Sequence, residues 1–181
     1  MPLPPNEVPR KRLHSRRVSY DGWLRDDGLF DIEARLIDTK DDDYTLASGV
    51  VPKGAPVHEM GVRVTIGRDF VIRALAATAD AVPYTDGCEL IAPAYAQLVG
   101  TNLMHGFRAT LYSLMGGGKG CTHITELLAY LPTAAVQTFA TLNPENPGSG
   151  TRPYQLDRCH ALVHTTETVR RYYPKWFRGA A

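Results

Sequence analysis

Twice in its first half the chain alternates apolar and polar residues up to a turn and resumes alternating beyond it, a pattern that leaves few folds open. Val18, Tyr20 and the Trp23-Leu24 pair lead to Arg25-Asp26-Asp27-Gly28, after which Leu29, Phe30, Ile32, Ala34 and Leu36 alternate with Glu33 and Arg35. Side chains two apart share one face of a strand, and Asp-Gly supplies the positive φ of a tight turn, so these runs predict a β-hairpin. Val57, Met60, Val62, Val64 and Ile66 repeat the pattern up to Gly67-Arg68-Asp69, and Phe70, Ile72, Ala74 and Ala76 resume it. Between the hairpins, Asp41-Asp42-Asp43 and the stretch from Ser48 to Pro56 read as a loop by their turn residues. The expectation is an antiparallel sheet of about four strands.

After Pro83 the period lengthens. Glu89, Ile91, Ala92, Ala94, Tyr95, Leu98 and Val99 predict a helix closed by Gly100, with Pro93 either kinking it or sitting in its first turn. Phe107 to Met115 forms a short helix broken by Gly116-Gly117-Gly118-Lys119-Gly120. From about Thr122 to Leu142, Ile124, Leu127, Leu128, Leu131, Ala135, Val136 and Phe139 trace one apolar face, with Pro132 a possible kink. Asn143 to Pro153 is a Pro/Gly loop, and Gln155 to about Tyr172 offers a last helix before an aromatic tail. The fold class is therefore α+β: N-terminal hairpins making a sheet, packed by C-terminal helices. Residues 1–12, with Pro2, Pro4, Pro5 and Pro9, form an extended arm, and 13–181 a single domain.

Lys and Arg number 20 against 19 Asp and Glu, so the summed charge draws the chain to neither nucleic acid nor an anionic membrane. The charge is local: Arg10, Lys11, Arg12, Arg16 and Arg17 are basic while 26–43 is acidic, an asymmetry that fits two strands pairing. No apolar run approaches the roughly 20 residues of a membrane span, and the first residues lack the apolar core of a secretion signal. The expected compartment is the cytoplasm. Cys88, Cys121 and Cys159, odd in number and widely spaced, fit reduced thiols there.

Three segments, RLHSRRVSYDGWLRDDGLFDIEARLIDTK, GGGKGCTHITELL and LDRCHAL, together resemble the DUF2889 family over most of the chain. The resemblance implies a bacterial protein with a polar site and carries no activity with it. In topology the order of hairpins, then Cys88 opening one helix and Cys121 another, is also similar to iron–sulfur scaffolds of the NifU type. The early scaffold cysteine has no counterpart, however, and Cys121-Thr122-His123 stands where that pattern has His-Cys. Fold analogy does not transfer function.

The densest candidate site is Cys121, His123 and Glu126, at a helix start after a flexible glycine run. Helix N-termini attract anions, and His123 and Glu126, three apart, share a helical face on which the carboxylate can orient the imidazole. Glu126 alternatively caps the helix. A metal site could draw on Cys88, Cys121, Cys159 and His123, with His58 or His160 as substitutes, though without CxxC spacing. The glycine run departs twice from the phosphate-loop pattern, at Ser113 and Gly120, yet Lys119 and the bare amides could admit an anion. His14, Arg16, Tyr20, Arg25, Asp26, Asp27, Asp31, Glu33, Asp38 and Lys40 crowd polar groups onto predicted strands, with Asp31, Glu33 and Arg35 on one face. His58 and His105 could each serve as a base near neutral pH.

These residues favour a small-molecule enzyme of lyase type, performing decarboxylation or retro-aldol cleavage of an aromatic or carboxylated compound. His123 or His58 is its expected base, supported by Glu126; Tyr20 is the proton donor, and Arg17, Arg108 and Lys119 hold the substrate. Such chemistry needs a placed base and a charge-stabilising donor, and the chain has no nucleotide-cofactor fingerprint, so no cofactor is expected. The alternative is a zinc, iron or iron–sulfur carrier using Cys88, Cys121, Cys159 and His123. The aromatic tail from Tyr172 to Phe177 could support a homodimer.

Overall fold

The computed structural model describes residues 2–140, 142 and 150–179, which fall into two compact units, Met1–Phe139 and Ala140–Ala181. In the first unit the alternating runs become β1 (His14–Leu24), β2 (Phe30–Lys40), β5 (Pro56–Ile66) and β6 (Ile72–Ala81), an antiparallel sheet in the order β1-β2-β5-β6. The first turn forms where Asp27-Gly28 requires it: Gly28 has φ 80°, and its amide donates to the Arg25 carbonyl at 3.1 Å. The second turn places Phe70 at φ 60°, so β6 begins at Ile72 rather than at Phe70. Between β2 and β5, where Asp41-Asp42-Asp43 and Ser48 to Pro56 read as a loop, a further ribbon forms: β3 (Tyr44–Leu46) pairs with β4 (Gly49–Val51).

Alternation decides the two faces of the sheet. Phe30, Ile32, Ala34 and Leu36 of β2 and Met60, Val62, Val64 and Ile66 of β5 are buried in one core with the helices. Opposite, Glu33 accepts from Arg63 at 2.6 Å, Arg35 pairs with Glu59, and Thr65 donates to Asp31 at 2.6 Å. The charge asymmetry of the first forty residues resolves along β1 and β2: Lys11 pairs with Asp42, Arg12 with Asp41 and Arg16 with Asp38.

Helix α1 spans Phe107–Met115 and α2 Thr122–Ala140. The segment Glu89–Leu98, expected to be α-helical, is instead a 3-10 helix. Its buried residues Ala92, Tyr95 and Leu98 recur every third position, matching three residues per turn, and Pro93 cannot make an α-helical bond to Glu89. In α2, Pro132 leaves the Leu128 carbonyl without its usual donor, and the neighbouring carbonyls of Leu127 and Ala129 accept side-chain hydrogen bonds from Tyr20 at 3.0 Å and Arg108 at 2.8 Å. No helix among the described residues is long and apolar enough to cross a membrane.

In the second unit, the expected helix from Gln155 reduces to α3 (Glu167–Tyr172), with 3-10 turns at His160–Leu162 and Pro174–Trp176. Asp157, at φ 63°, interrupts it and accepts from the amide of His164 at 2.8 Å; α3 then starts at Thr166, whose hydroxyl caps Val169 N. Of the expected 143–153 loop, residues 143–149 lie outside the described residues.

The contact of β1 with α2 is tightest at Gly22, where a Cβ would stand 1.9 Å from Thr138 Oγ1. Gly22→Ala is expected to cost about 1–3 kcal/mol by forced repacking, read from urea unfolding, with Thr138→Ala in the same chain recovering part of the loss.

Candidate active site

The alternation of β2 does not stop at Leu36. Asp38, next in the series Phe30, Ile32, Ala34, Leu36, carries a carboxylate onto the buried face and is only 3% exposed. Its partners are set by register: Arg16 of β1 and His58 of β5 lie directly across from it. Arg16 grips both oxygens, Nε to Oδ1 and Nη2 to Oδ2, each at 2.8 Å, while Nη1 donates to Glu126 of α2 at 2.6 Å. His14, one residue pair along β1, donates from Nε2 to Oδ1 at 2.9 Å. His58 Nδ1 faces Oδ2 at 3.3 Å.

The fourth side arrives from the start of α2. The buried Tyr95 hydroxyl accepts from Cys121 N at 2.9 Å, donates to the Cys121 carbonyl at 2.8 Å and lies 2.8 Å from Thr125 Oγ1. That pin needs glycine before it, since a Cβ at Gly120 would meet Met115 O at 2.5 Å and Tyr95 Oη at 2.8 Å. Held there, His123 lays its ring on His58, centroids 3.9 Å apart and tilted by 31°, and points Nε2 at Asp38 Oδ2 from 3.6 Å. Its Nδ1 is 3.9 Å from Cys121 Sγ.

Burial pushes the Asp38 carboxyl up, but the hydrogen bonds from Arg16 and His14, with the guanidinium charge, outweigh it and bring the value down to about 2. The carboxylate is ionised at neutral pH. Burial drives both imidazoles the other way: His58 is lowered by desolvation and by His123, His123 by desolvation and by Arg16, with Asp38 opposing in each case. Two uncharged imidazoles thus flank one buried anion. They open onto a cleft of about 210 Å³ lined also by Lys40, Tyr44 and Val57. Lys40 Nζ sits 5.0 Å from the Tyr44 ring centroid and makes no ion pair among the described residues.

A family model described as "Protein of unknown function (DUF2889)" matches residues 14–137. The chain belongs to the DUF2889 family. The matched span begins at His14 and includes every residue of the Asp38 cluster. No curated protein and no solved structure matches the chain.

Of the residues singled out from the sequence, His58 and His123 meet, and Glu126 joins them through Arg16. Tyr20 is tied to α2 and, chiefly through burial, its hydroxyl is raised to about 12. Arg108 is likewise tied to α2, and Lys119 donates to the Ser113 carbonyl at 2.9 Å. Arg17, exposed, falls on the strand face opposite Arg16. Cys88 and Cys121 are half-buried and, among the described residues, the group able to hold a metal contains neither; Cys159 is exposed in the second unit. Asp38, His14, Arg16 and Lys40 stood out in the sequence only as polar groups on strands, without the central place of Asp38, and Tyr44 not at all. The available signal was position: Asp38 continues an apolar series at a spacing of two.

The protonation states fix an acid response. Unfolded histidines take up protons near pH 6.5 that folded His58 and His123 resist, so stability falls as pH drops below that value. Asp38, lower when folded, adds a contribution present above about pH 4 and lost as pH falls through about 2, worth about 2 kcal/mol. Urea midpoints measured from pH 8 to 3 are expected to decline from about 6.5 downward, and Asp38→Asn to remove the further loss below 4.

Proposed function

We propose that this chain is a small-molecule enzyme of lyase type, acting on a hydroxylated or carboxylated compound, aromatic ones included, at the Asp38 cleft. The observation that carries the reading is a buried, ionised carboxylate bordered by two uncharged imidazoles at the floor of a polar cleft. An uncharged imidazole beside a fixed carboxylate is a proton acceptor whose charged form the carboxylate stabilises. For retro-aldol cleavage, one such imidazole takes the proton of a substrate hydroxyl, the C–C bond breaks to leave a carbonyl product, and the proton returns to the carbon that kept the electron pair. The exchange balances without a co-reactant.

Substrate holding passes from Arg17, Arg108 and Lys119 to Lys40, with His14 and Tyr44 beside it in the cleft, and Tyr20, tied to α2, is set aside as proton donor. Arg16 is already committed to Asp38 and Glu126 and serves as a positioning residue. The cleft is below the roughly 300–1,000 Å³ of pockets for drug-sized ligands, which supports a small, anionic substrate. Three free thiols support a reducing, cytoplasmic compartment. The carrier alternative has less behind it, because Cys121 reaches His123 but Cys88 does not join them.

A panel of small hydroxylated aromatic compounds and carboxylates, assayed for released carbonyl product or carbon dioxide, tests the reading. His123→Gln or His58→Gln is expected to reduce turnover by about 10²–10⁴-fold, and Lys40→Met to raise KM for carboxylates. Full activity in both histidine variants, or no turnover of any compound in the panel, would contradict it.

A further inference from the structure

We infer that Asp38, His58 and His123 bind a divalent first-row transition-metal ion, which then presents open coordination positions to the cleft. The inference rests on the cleft being the working site and changes how it works, with the two imidazoles acting as ligands.

The geometry points to an ion rather than to a closed hydrogen-bond network. Asp38 Oδ2 is approached by Arg16 Nη2 at 2.8 Å, His58 Nδ1 at 3.3 Å and His123 Nε2 at 3.6 Å. The two histidine distances exceed the 2.7–2.9 Å of charge-assisted N–H···O bonds. They fall within or just beyond the separation of ligands around a common ion: bonds of about 2.0–2.2 Å to nitrogen and oxygen hold neighbouring ligands roughly 3 to 3.5 Å apart. One donor atom from each of the three residues lies within 4.8 Å of the others. Two stacked rings that both aim a nitrogen at one carboxylate oxygen offer an ion two lone pairs and one negative charge.

The surroundings orient the ligands as metal sites require. Arg16 Nε and His14 hold Oδ1, which fixes the carboxylate and turns Oδ2 toward the rings. Glu126 offsets the charge of Arg16. Cys121 Sγ lies beside His123 Nδ1, the nitrogen that keeps its proton when Nε2 is a ligand. Two imidazoles and one carboxylate suit zinc or iron(II), and three protein ligands leave positions open, as catalytic sites do. A hydroxyl or carboxylate oxygen of a small anion, drawn in by Lys40, would fill one of them.

Untagged protein stripped with chelator is titrated with Co²⁺, followed by visible absorption, and with Zn²⁺ by calorimetry. The expected result is one ion per chain, a Co²⁺ spectrum of four- or five-coordinate type, affinity lowered at least about tenfold in His58→Gln and in His123→Gln, and affinity unchanged in Cys88→Ser. Wild-type protein that takes up neither ion saturably overturns the inference, as does binding that survives both histidine substitutions. The wild-type spectrum decides even if a variant fails to fold. Metal-free protein that turns over substrate with loss in His123→Gln sinks the ion and keeps the proposed enzyme; protein that binds the ion but turns over nothing in the panel does the reverse.

Discussion

Everything in the cluster is referred to the Asp38 carboxylate. A charge only 3% exposed is costly unless paired, and here a guanidinium lies on both oxygens and an imidazole on one, with two more rings facing the other. Removing Arg16 leaves that buried charge with only the imidazoles beside it. This is also why Glu126 matters at one remove. It balances Arg16 from α2 and ties the helix to the outer strand.

The sheet places this anion without special backbone. Antiparallel register puts Arg16, Asp38 and His58 in one row across three strands, at the end of the sheet where the apolar series of β2 and β5 runs out. The helix adds His123 and, through Arg16, Glu126; the Tyr95–Cys121 pin sets the height of His123 above the row. The β3–β4 ribbon supplies Tyr44 to the cleft, beside Lys40 at the end of β2. The candidate site on this scaffold is therefore built from strand ends and one helix start.

Much of the frame was legible in the residues, because strand faces and Asp-Gly turns obey local rules. The two hairpins, the apolar face of α2 and the pairing of the basic and acidic segments all follow from spacing and charge. The Glu89–Leu98 segment was misread because Pro93 changes the period from 3.6 to 3, and the β3–β4 ribbon because turn residues mask three-residue strands. In the site, His58 and His123 were visible as residue types, but their meeting depends on β5 and α2 converging, which no local pattern encodes. Tyr20, expected as a proton donor, and Arg108, expected to hold substrate, satisfy carbonyls beside the gap that Pro132 leaves in α2. Asp38 was named only as one of many strand acids; its place in the series of buried positions sets it apart.

The Arg16–Asp38 pair is the energetic keystone of the cluster. A double-mutant cycle of Arg16→Met and Asp38→Asn, with unfolding free energies from urea titrations at pH 7, measures it directly. Strong coupling is expected, about 2 kcal/mol or more, because removing Arg16 leaves the Asp38 carboxylate, only 3% exposed, without its guanidinium. Additivity within about 0.5 kcal/mol would contradict it, and would mean that the carboxylate is held by the histidines or by solvent instead.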